Sequence, residues 1–240
     1  MNITWNKFDE ELRARECVCQ SACAPKPLHL ILNSVHHIEE GEPFRFATPQ
    51  EKRVEVYYAL AAGAKGLSYW WYTPIPPYLG VGADDPQARA LWREIGLLGA
   101  EVRTAGPVLV RSCPAPLPVA GSRRLWVRSL LAGLDTVVLI CVNEDYASDR
   151  VGTVVRPLEQ AVVTFRLPAW LRPQEVFEIT YRGIQPISWE REGKKLKLYL
   201  GRVELTRLVL ITSDHSLPHH LQRLYDTQFA PKIQRLTEDR

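Results

Sequence analysis

Two stretches of this chain concentrate the side chains able to do chemistry. The first begins at Asn33 and carries Ser34, His36, His37, Glu39, Glu40 and Glu42; the second begins with Trp70, Trp71 and Tyr72 and carries Tyr78, Asp84 and Asp85. Carboxylates and imidazoles are the common proton-transfer groups near neutral pH. An aromatic ring offers a flat apolar face with a polar edge, which suits stacking on the C–H face of a sugar ring. Each group also has a plainer role. Aromatics at strand ends cap hydrophobic cores, adjacent histidines in a polar loop are often solvated, and so are carboxylates in a stretch rich in charge.

The elements that must position these residues are legible on either side of them. Leu28 to Leu32 is a short, continuously apolar run, which suits a strand buried on both faces. Thr48, Pro49 and Glu51 in "TPQE" spell an N-cap, a first-turn proline and a capping-box glutamate, so a helix starts there. Val54, Tyr57, Tyr58 and Ala61 give that helix one apolar stripe, and "AAGAKG" supplies its glycine stop. Gly66 to Tyr72 reads as the second strand. Strand, helix and strand in this order predict a parallel pair with a right-handed crossover, whose loops converge at the C-terminal strand ends. Because neighbouring strand residues point to opposite faces, one of Trp70 and Trp71 is expected to pack under the helix while the other lies at the mouth of the site. A further helix opens at Pro86, with Leu91, Ile95, Leu98 and Val102 on one face.

From about residue 108 the pattern changes. The runs "RRLWVRSLLA", "DTVVLICVN", "QAVVTFRLP", "EVFEITY", "KKLKLYL" and "LTRLVLIT", separated by turn residues and without intervening helices, predict an antiparallel sandwich or barrel. In the tail, Leu217, Leu221, Leu224 and Phe229 are spaced like a helical face that packs back on a domain. A helix of mixed polarity is expected over residues 5–23, giving three expected regions at 1–107, 108–213 and 214–240.

The bulk composition narrows the function classes. With 240 residues, 46% hydrophobic and 24% charged, the chain has the make-up of a globular protein. A net charge of +3 without a basic stripe gives no reason to expect nucleic acid or an anionic membrane as partner. No apolar run approaches a membrane span, and the first residues are too polar for a signal peptide, so a soluble, unprocessed chain of unassigned compartment is expected. Five cysteines, three of them clustered as Cys17, Cys19 and Cys23, make neither a disulfide framework nor a zinc set, since His29, the nearest fourth ligand, falls inside the apolar run. No metal and no cofactor are expected. There is no GxSxG, glycine-rich phosphate loop or HExxH sequence to support an independent small α/β enzyme.

The segment "TPQEKRVEVYYALAAGAKGLSYWWYTP", followed by "ALWREIGLLGAEVRTAGPVLV" and then a β-rich region, resembles the end of a clan-A TIM-barrel glycoside hydrolase of the broad β-galactosidase-like group. The resemblance covers residues 27 to 110 in motif and the rest in architecture. It implies an α/β plus all-β chain: the last βα units of a (β/α)8 barrel, an antiparallel β-sandwich and a short helical tail. Leu28 to Leu32 would be strand seven and Gly66 to Tyr72 strand eight, with Trp70 or Trp71 the sugar platform. Asn33, His36, His37, Trp70, Trp71 and Tyr72 then become candidate substrate contacts, and Glu39 and Glu40 candidate catalytic carboxylates.

The family's strand-seven nucleophile has no direct counterpart, because that strand ends in Asn33 and Ser34 and the first carboxylate, Glu39, stands further out in the loop. A full barrel takes ~250 residues, and strand four with its acid/base has no equivalent in the region before the sandwich. The expectation is therefore a C-terminal piece of a glycosidase-like protein that holds part of a sugar site, with a carbohydrate ligand. Its open barrel edge would be covered by self-association or by a partner. The alternative is a non-catalytic module whose sandwich binds carbohydrate or protein.

Overall fold

The computed structural model describes residues 26–36, 38–39, 42–43, 45–76, 79–149 and 151–238. The helix expected over residues 5–23, with Cys17, Cys19 and Cys23, lies outside them, as do His37, Glu40 and Tyr78. Two compact units make up the chain: Met1–Gly96 with Tyr146–Val155, and Leu97–Asp145 with Arg156–Arg240.

The first unit is built on β1 (His29–Asn33), a two-residue ladder of β2 (Ile38–Glu39) with β3 (Glu42–Pro43), α1 (Pro49–Ala61), β4 (Gly66–Trp70) and the start of α2 (Pro86–Thr104). β1 and β4 pair in parallel, in a register that sets His29 beside Gly66 and Asn33 beside Trp70. The capping box forms as its residue types require: Thr48 Oγ1 accepts from Glu51 N–H (3.2 Å) and Glu51 Oε2 accepts from Thr48 N–H (2.7 Å). Beyond α1, Gly63 takes a φ of +86°, and Ala64 N–H reaches back to Ala59 O (3.1 Å), a Schellman-type ending.

Two packing expectations change. The single stripe foreseen for α1 is replaced by burial around much of the helix, with Lys52, Val56, Ala59 and Leu60 buried beside Val54, Tyr57, Tyr58 and Ala61. β1 is buried on one face only. Leu28, Leu30 and Leu67 pack with Ala59, Ala62 and Ala64, whereas Ile31 on the opposite face is 65% exposed. Among the described residues no element covers that face, and a strand next to a single neighbour lacks the two-sided cover of a wide parallel sheet.

In the second unit the short α3 (Gly106–Leu109) leads into β5 (Ser112–Pro114), β6 (Val119–Gly121), β7 (Leu125–Ala132) and β8 (Thr136–Asn143). A hairpin of β9 (Tyr146–Ser148) and β10 (Thr153–Val155) belongs to the first unit. The chain then continues through β11 (Leu158–Arg166), β12 (Glu175–Thr180), β13 (Gly183–Pro186), β14 (Ser188–Glu192), β15 (Lys195–Val203) and β16 (Thr206–Thr212). These form two antiparallel sheets, ordered β14-β15-β11-β6 and β13-β12-β16-β8-β7-β5. Val137, Leu139 and Cys141 of β8 and Val209 and Ile211 of β16 meet Val163 and Phe165 of β11 and Leu196 and Leu198 of β15 in one core. Alternation from Ala161 to Phe165 on β11 and from Leu196 to Leu200 on β15 sends every second residue into that core, and each fully buried large apolar side chain contributes about 1.5–3 kcal/mol. The six foreseen runs are all strands.

The tail is two helices rather than one face: α4 (Leu217–Gln228) and α5 (Ala230–Glu238), meeting at Phe229. Tyr225 rather than Leu224 takes the buried place, packing with Phe229, Ile233 and Ala100. Its hydroxyl donates to Tyr181 O (2.8 Å). On α2, Leu91 and Leu98 are buried as expected, and Glu101, not Val102, continues the buried side by accepting from Tyr181 N–H (3.2 Å). No helix among the described residues is long and apolar enough to cross a membrane.

Candidate functional site

The parallel register brings Asn33 and Trp70 side by side at the C-terminal ends of β1 and β4, where Ser34 N–H donates to Trp70 O (2.5 Å). β4 ends at Trp70, so Trp71 belongs to the following loop and strand alternation no longer governs it. The peptide between the two is cis. The rings do not part to opposite faces as expected. Their centroids lie 4.7 Å apart at 40°, with Trp70 52% exposed and Trp71 half-buried. Tyr72 is 64% exposed and meets the edge of Trp92, also exposed, at 5.9 Å. Four aromatic rings thus gather at one strand end.

The loop after Tyr72 folds back on itself. Gly80 N–H donates to Thr73 O (2.6 Å), Val81 N–H to Trp71 O (3.2 Å) and Gly82 N–H to Tyr72 O (3.1 Å). Glycine is required at 80 and 82, since a Cβ there would collide with the carbonyl oxygens of Trp71 and Tyr72. The β1 loop is tied to the same ladder by His36 N–H donating to Leu79 O (2.7 Å). Asn33 Oδ1 accepts from Val35 N–H (3.2 Å), and the His36 ring packs 5.7 Å from Phe46. Of the sequence candidates, then, Asn33, His36, Trp70, Trp71 and Tyr72 share one end of the sheet. The backbone of Glu39 lies in β2 of the same loop, and His37 and Glu40 fall outside the described residues.

Under this rim sits a polar group that sequence reasoning did not single out. Lys52, wholly buried on α1, donates to Asn33 O (2.5 Å) and pairs with Glu55 one turn on. Burial pushes the Glu55 carboxyl above its ordinary value, against the pull of Lys52. Burial likewise raises the Tyr69 phenol to about 12, with Glu55 and Glu94 adding to it, and the Lys52 ammonium stands 6.0 Å from its ring centre. Arg53 pairs with Glu94 at 2.7 Å alongside. The Ser34 hydroxyl is buried and has no hydrogen-bond partner among the described residues. Nothing local to "EKRVE" tells which of these charges the strands will cover.

The N-terminus of α1 carries a second buried pair. Arg45 grips both oxygens of Glu51 at 2.7 Å and also donates to Asp149 O of the β9–β10 hairpin at 2.7 and 3.1 Å. Burial opposes the Glu51 charge, but the Arg45 guanidinium and Thr48 N–H outweigh it and hold the carboxyl below its ordinary value. Among the described residues no group of His, Cys, Asp and Glu is placed to hold a metal ion. The rim therefore offers exposed ring faces, an exposed amide and a half-buried imidazole.

No family model and no curated protein matches this chain. Among solved structures it is similar to a cycloisomaltooligosaccharide glucanotransferase from Paenibacillus sp. complexed with cycloisomaltoheptaose, at 10% identity and a TM-score of 0.52 over 68% of this chain and 27% of that one. Weaker likenesses link it to a protein titled glycoside hydrolase (14% identity, TM-score 0.43, 85% of this chain and 46% of that one) and to alpha-L-fucosidase isoenzyme 2 from Paenibacillus thiaminolyticus (13% identity, TM-score 0.32, 40% and 15%). The chain spans less than half the length of each. A shared fold is read from the glucanotransferase alone, and its neighbours in structure are carbohydrate-active enzymes.

Proposed function

We propose that the chain supplies one wall of a carbohydrate site in a glycoside-hydrolase-like protein. Trp70, Trp71 and Tyr72 form the stacking surface, and Asn33, His36 and His37 make polar contacts to sugar hydroxyls. The observation that carries the reading is the in-register ending of two parallel strands at Asn33 and Trp70, with the Trp70 and Trp71 rings 4.7 Å apart and the outer ring open to solvent. The likeness in fold to a glucanotransferase complexed with cycloisomaltoheptaose supports it. In this reading β1, α1, β4 and α2 are the last βα units of a (β/α)8 barrel. The exposed face bearing Ile31 and Ser68 is then barrel interior, completed by further strands or by a second molecule.

A retaining glycosidase needs two carboxyl groups ~5 Å apart, contributed by different strands. Glu39 and Glu40 are the candidates for one of them, both on the β1 loop, and the chain alone does not turn over glycosides. The test is a calorimetric titration of the purified chain with a linear glucose oligosaccharide, isomaltoheptaose. Losing one stacked ring, a contact of roughly 1.4 kcal/mol, is expected to weaken binding about tenfold in Trp70→Ala or Trp71→Ala. Equal binding by both variants would overturn the platform. Hydrolysis of an aryl glycoside by the unaltered chain, lost in Glu39→Gln or Glu40→Gln, would overturn the incomplete pair.

A further inference from the structure

The second unit has a depression of its own, of ≈ 750 Å³, remote in sequence from the aromatic rim. It is lined by the end of β11, the β11–β12 connection and the turn between β14 and β15. Arg166, Arg172, Arg191 and Lys194 are four of its ten lining residues, none of the ten is acidic, and all four are exposed. Among the described residues none of the four is ion-paired. The nearest carboxylates in sequence are Glu175, which pairs with His215, Glu190, which pairs with Lys197 at 3.4 Å, and Glu192, which stands opposite Lys195 on the neighbouring strand.

The walls are held in place. Leu167 N–H donates to Lys194 O (2.8 Å), Leu171 N–H to Pro168 O (3.1 Å), and the Leu167 and Leu171 side chains are rooted in the sandwich core. Pro168 and Pro173 fix the backbone at both ends of the connection. Arg191 Nε donates to Gly193 O (3.0 Å), which orients its guanidinium. Trp170, 44% exposed, stands between the lining residues Ala169 and Leu171.

Four cations without counter-charges on a preorganised concave surface repel one another, and an anion relieves that repulsion. Arginine forks match carboxylate and sulfate geometry in bidentate fashion. We infer that this depression binds an anionic oligosaccharide, with carboxylate or sulfate groups held by Arg166, Arg172, Arg191 and Lys194 and a sugar ring laid on Trp170. A polynucleotide would need a longer basic track with several stacking rings. Here the cations are confined to one end of the sandwich and the ring is single.

The site shares no residue with the Trp70 platform, so the two readings fail independently. The purified chain is titrated by calorimetry with hexagalacturonate (carboxylate), a heparin-derived hexasaccharide (sulfate), isomaltoheptaose (uncharged) and a short single-stranded DNA. At least one acidic saccharide is expected to bind, and whichever binds identifies the anionic group. That binding should fall about tenfold or more between about 50 mM and about 200 mM salt, as expected for several released counterions. It should fall about tenfold in Arg172→Ala/Arg191→Ala, and by less in Arg172→Lys/Arg191→Lys, which keeps the charge and the fold while losing the fork. Trp170→Ala should weaken it, and Trp70→Ala/Trp71→Ala should leave it unchanged. The inference is overturned if neither acidic saccharide binds, if the Arg172→Ala/Arg191→Ala variant binds as well as the parent, or if the DNA binds more tightly than either saccharide.

Discussion

Replacing Lys52 by methionine tests whether the buried pair beneath the aromatic rim holds the first unit together. Lys52 is wholly buried and Glu55 is 13% exposed, so the substitution leaves a carboxylate and the Asn33 carbonyl without their cation. Removing one member of a buried pair costs about 3–5 kcal/mol. Linkage sets a ceiling of similar size, from which the cost the parent already carries through its own raised Glu55 is subtracted. If Glu55 escapes the penalty by staying protonated in the folded variant, proton uptake costs about 1.4 kcal/mol per pH unit above its ordinary value of 4.5, or about 3.4 kcal/mol at pH 7 and about 0.7 at pH 5.

The sign follows from the direction of the shift. Glu55 is raised in the folded state, so the native form binds the extra proton, and stability falls as pH rises from 4.5 through the folded value. Hydrogen exchange of the α1 amides, corrected for intrinsic rates, reads this unit apart from the sandwich. Lys52→Met is expected to lose up to about 3 kcal/mol of protection at pH 7 and under about 1 at pH 5, and Lys52→Met/Glu55→Gln to recover most of the difference. A loss below about 1 kcal/mol at pH 7, or a double variant no better than the single one, would refute the reasoning.

Glu51 has the opposite sign: its carboxyl is depressed, so its contribution is present above pH 4.5 and is lost as pH falls through the folded value. Glu51→Gln should cost about 1–2 kcal/mol at pH 7 through the lost Arg45 pair and cap, and should flatten the acid limb of α1 protection. An unchanged acid limb counts against it. Cys141 is buried with its thiol pushed up to about 12, whereas Cys113 is exposed. Iodoacetamide should therefore mark Cys113 in the folded chain and Cys141 only after unfolding, as peptide mass mapping will show, and equal labelling of the two contradicts the packing.

The features legible in the sequence were those decided by neighbouring residues. The capping box at Thr48 and Glu51, the glycine stop at Gly63 and the six long strand runs each carry their cause within a few positions. The parallel pairing of β1 with β4 followed from the helix between them. What depended on distant contacts was hidden. Strands β5, β6, β9 and β10 are three residues long, too short for alternation to declare itself. The exposure of Ile31 depends on what lies against a sheet face, and the burial of Lys52 on which strands its helix meets. The paired Trp70 and Trp71 rings escaped a period-two argument because the strand stops between them.

The β9–β10 hairpin places Thr153 Oγ1 2.7 Å from Thr48 Oγ1 and Asp149 O on Arg45, bonds that close over 105 and 104 residues. The first unit is consequently not a contiguous stretch of chain. A ribosome must emit β5 to β8, the opening strands of the other unit, before the hairpin that finishes the α1 cap exists. The Arg45 and Thr48 contacts thus cannot close until that intervening stretch has been made. An excised 1–96 peptide would carry the tryptophans but lack the partners that Arg45 and Thr48 find on the hairpin.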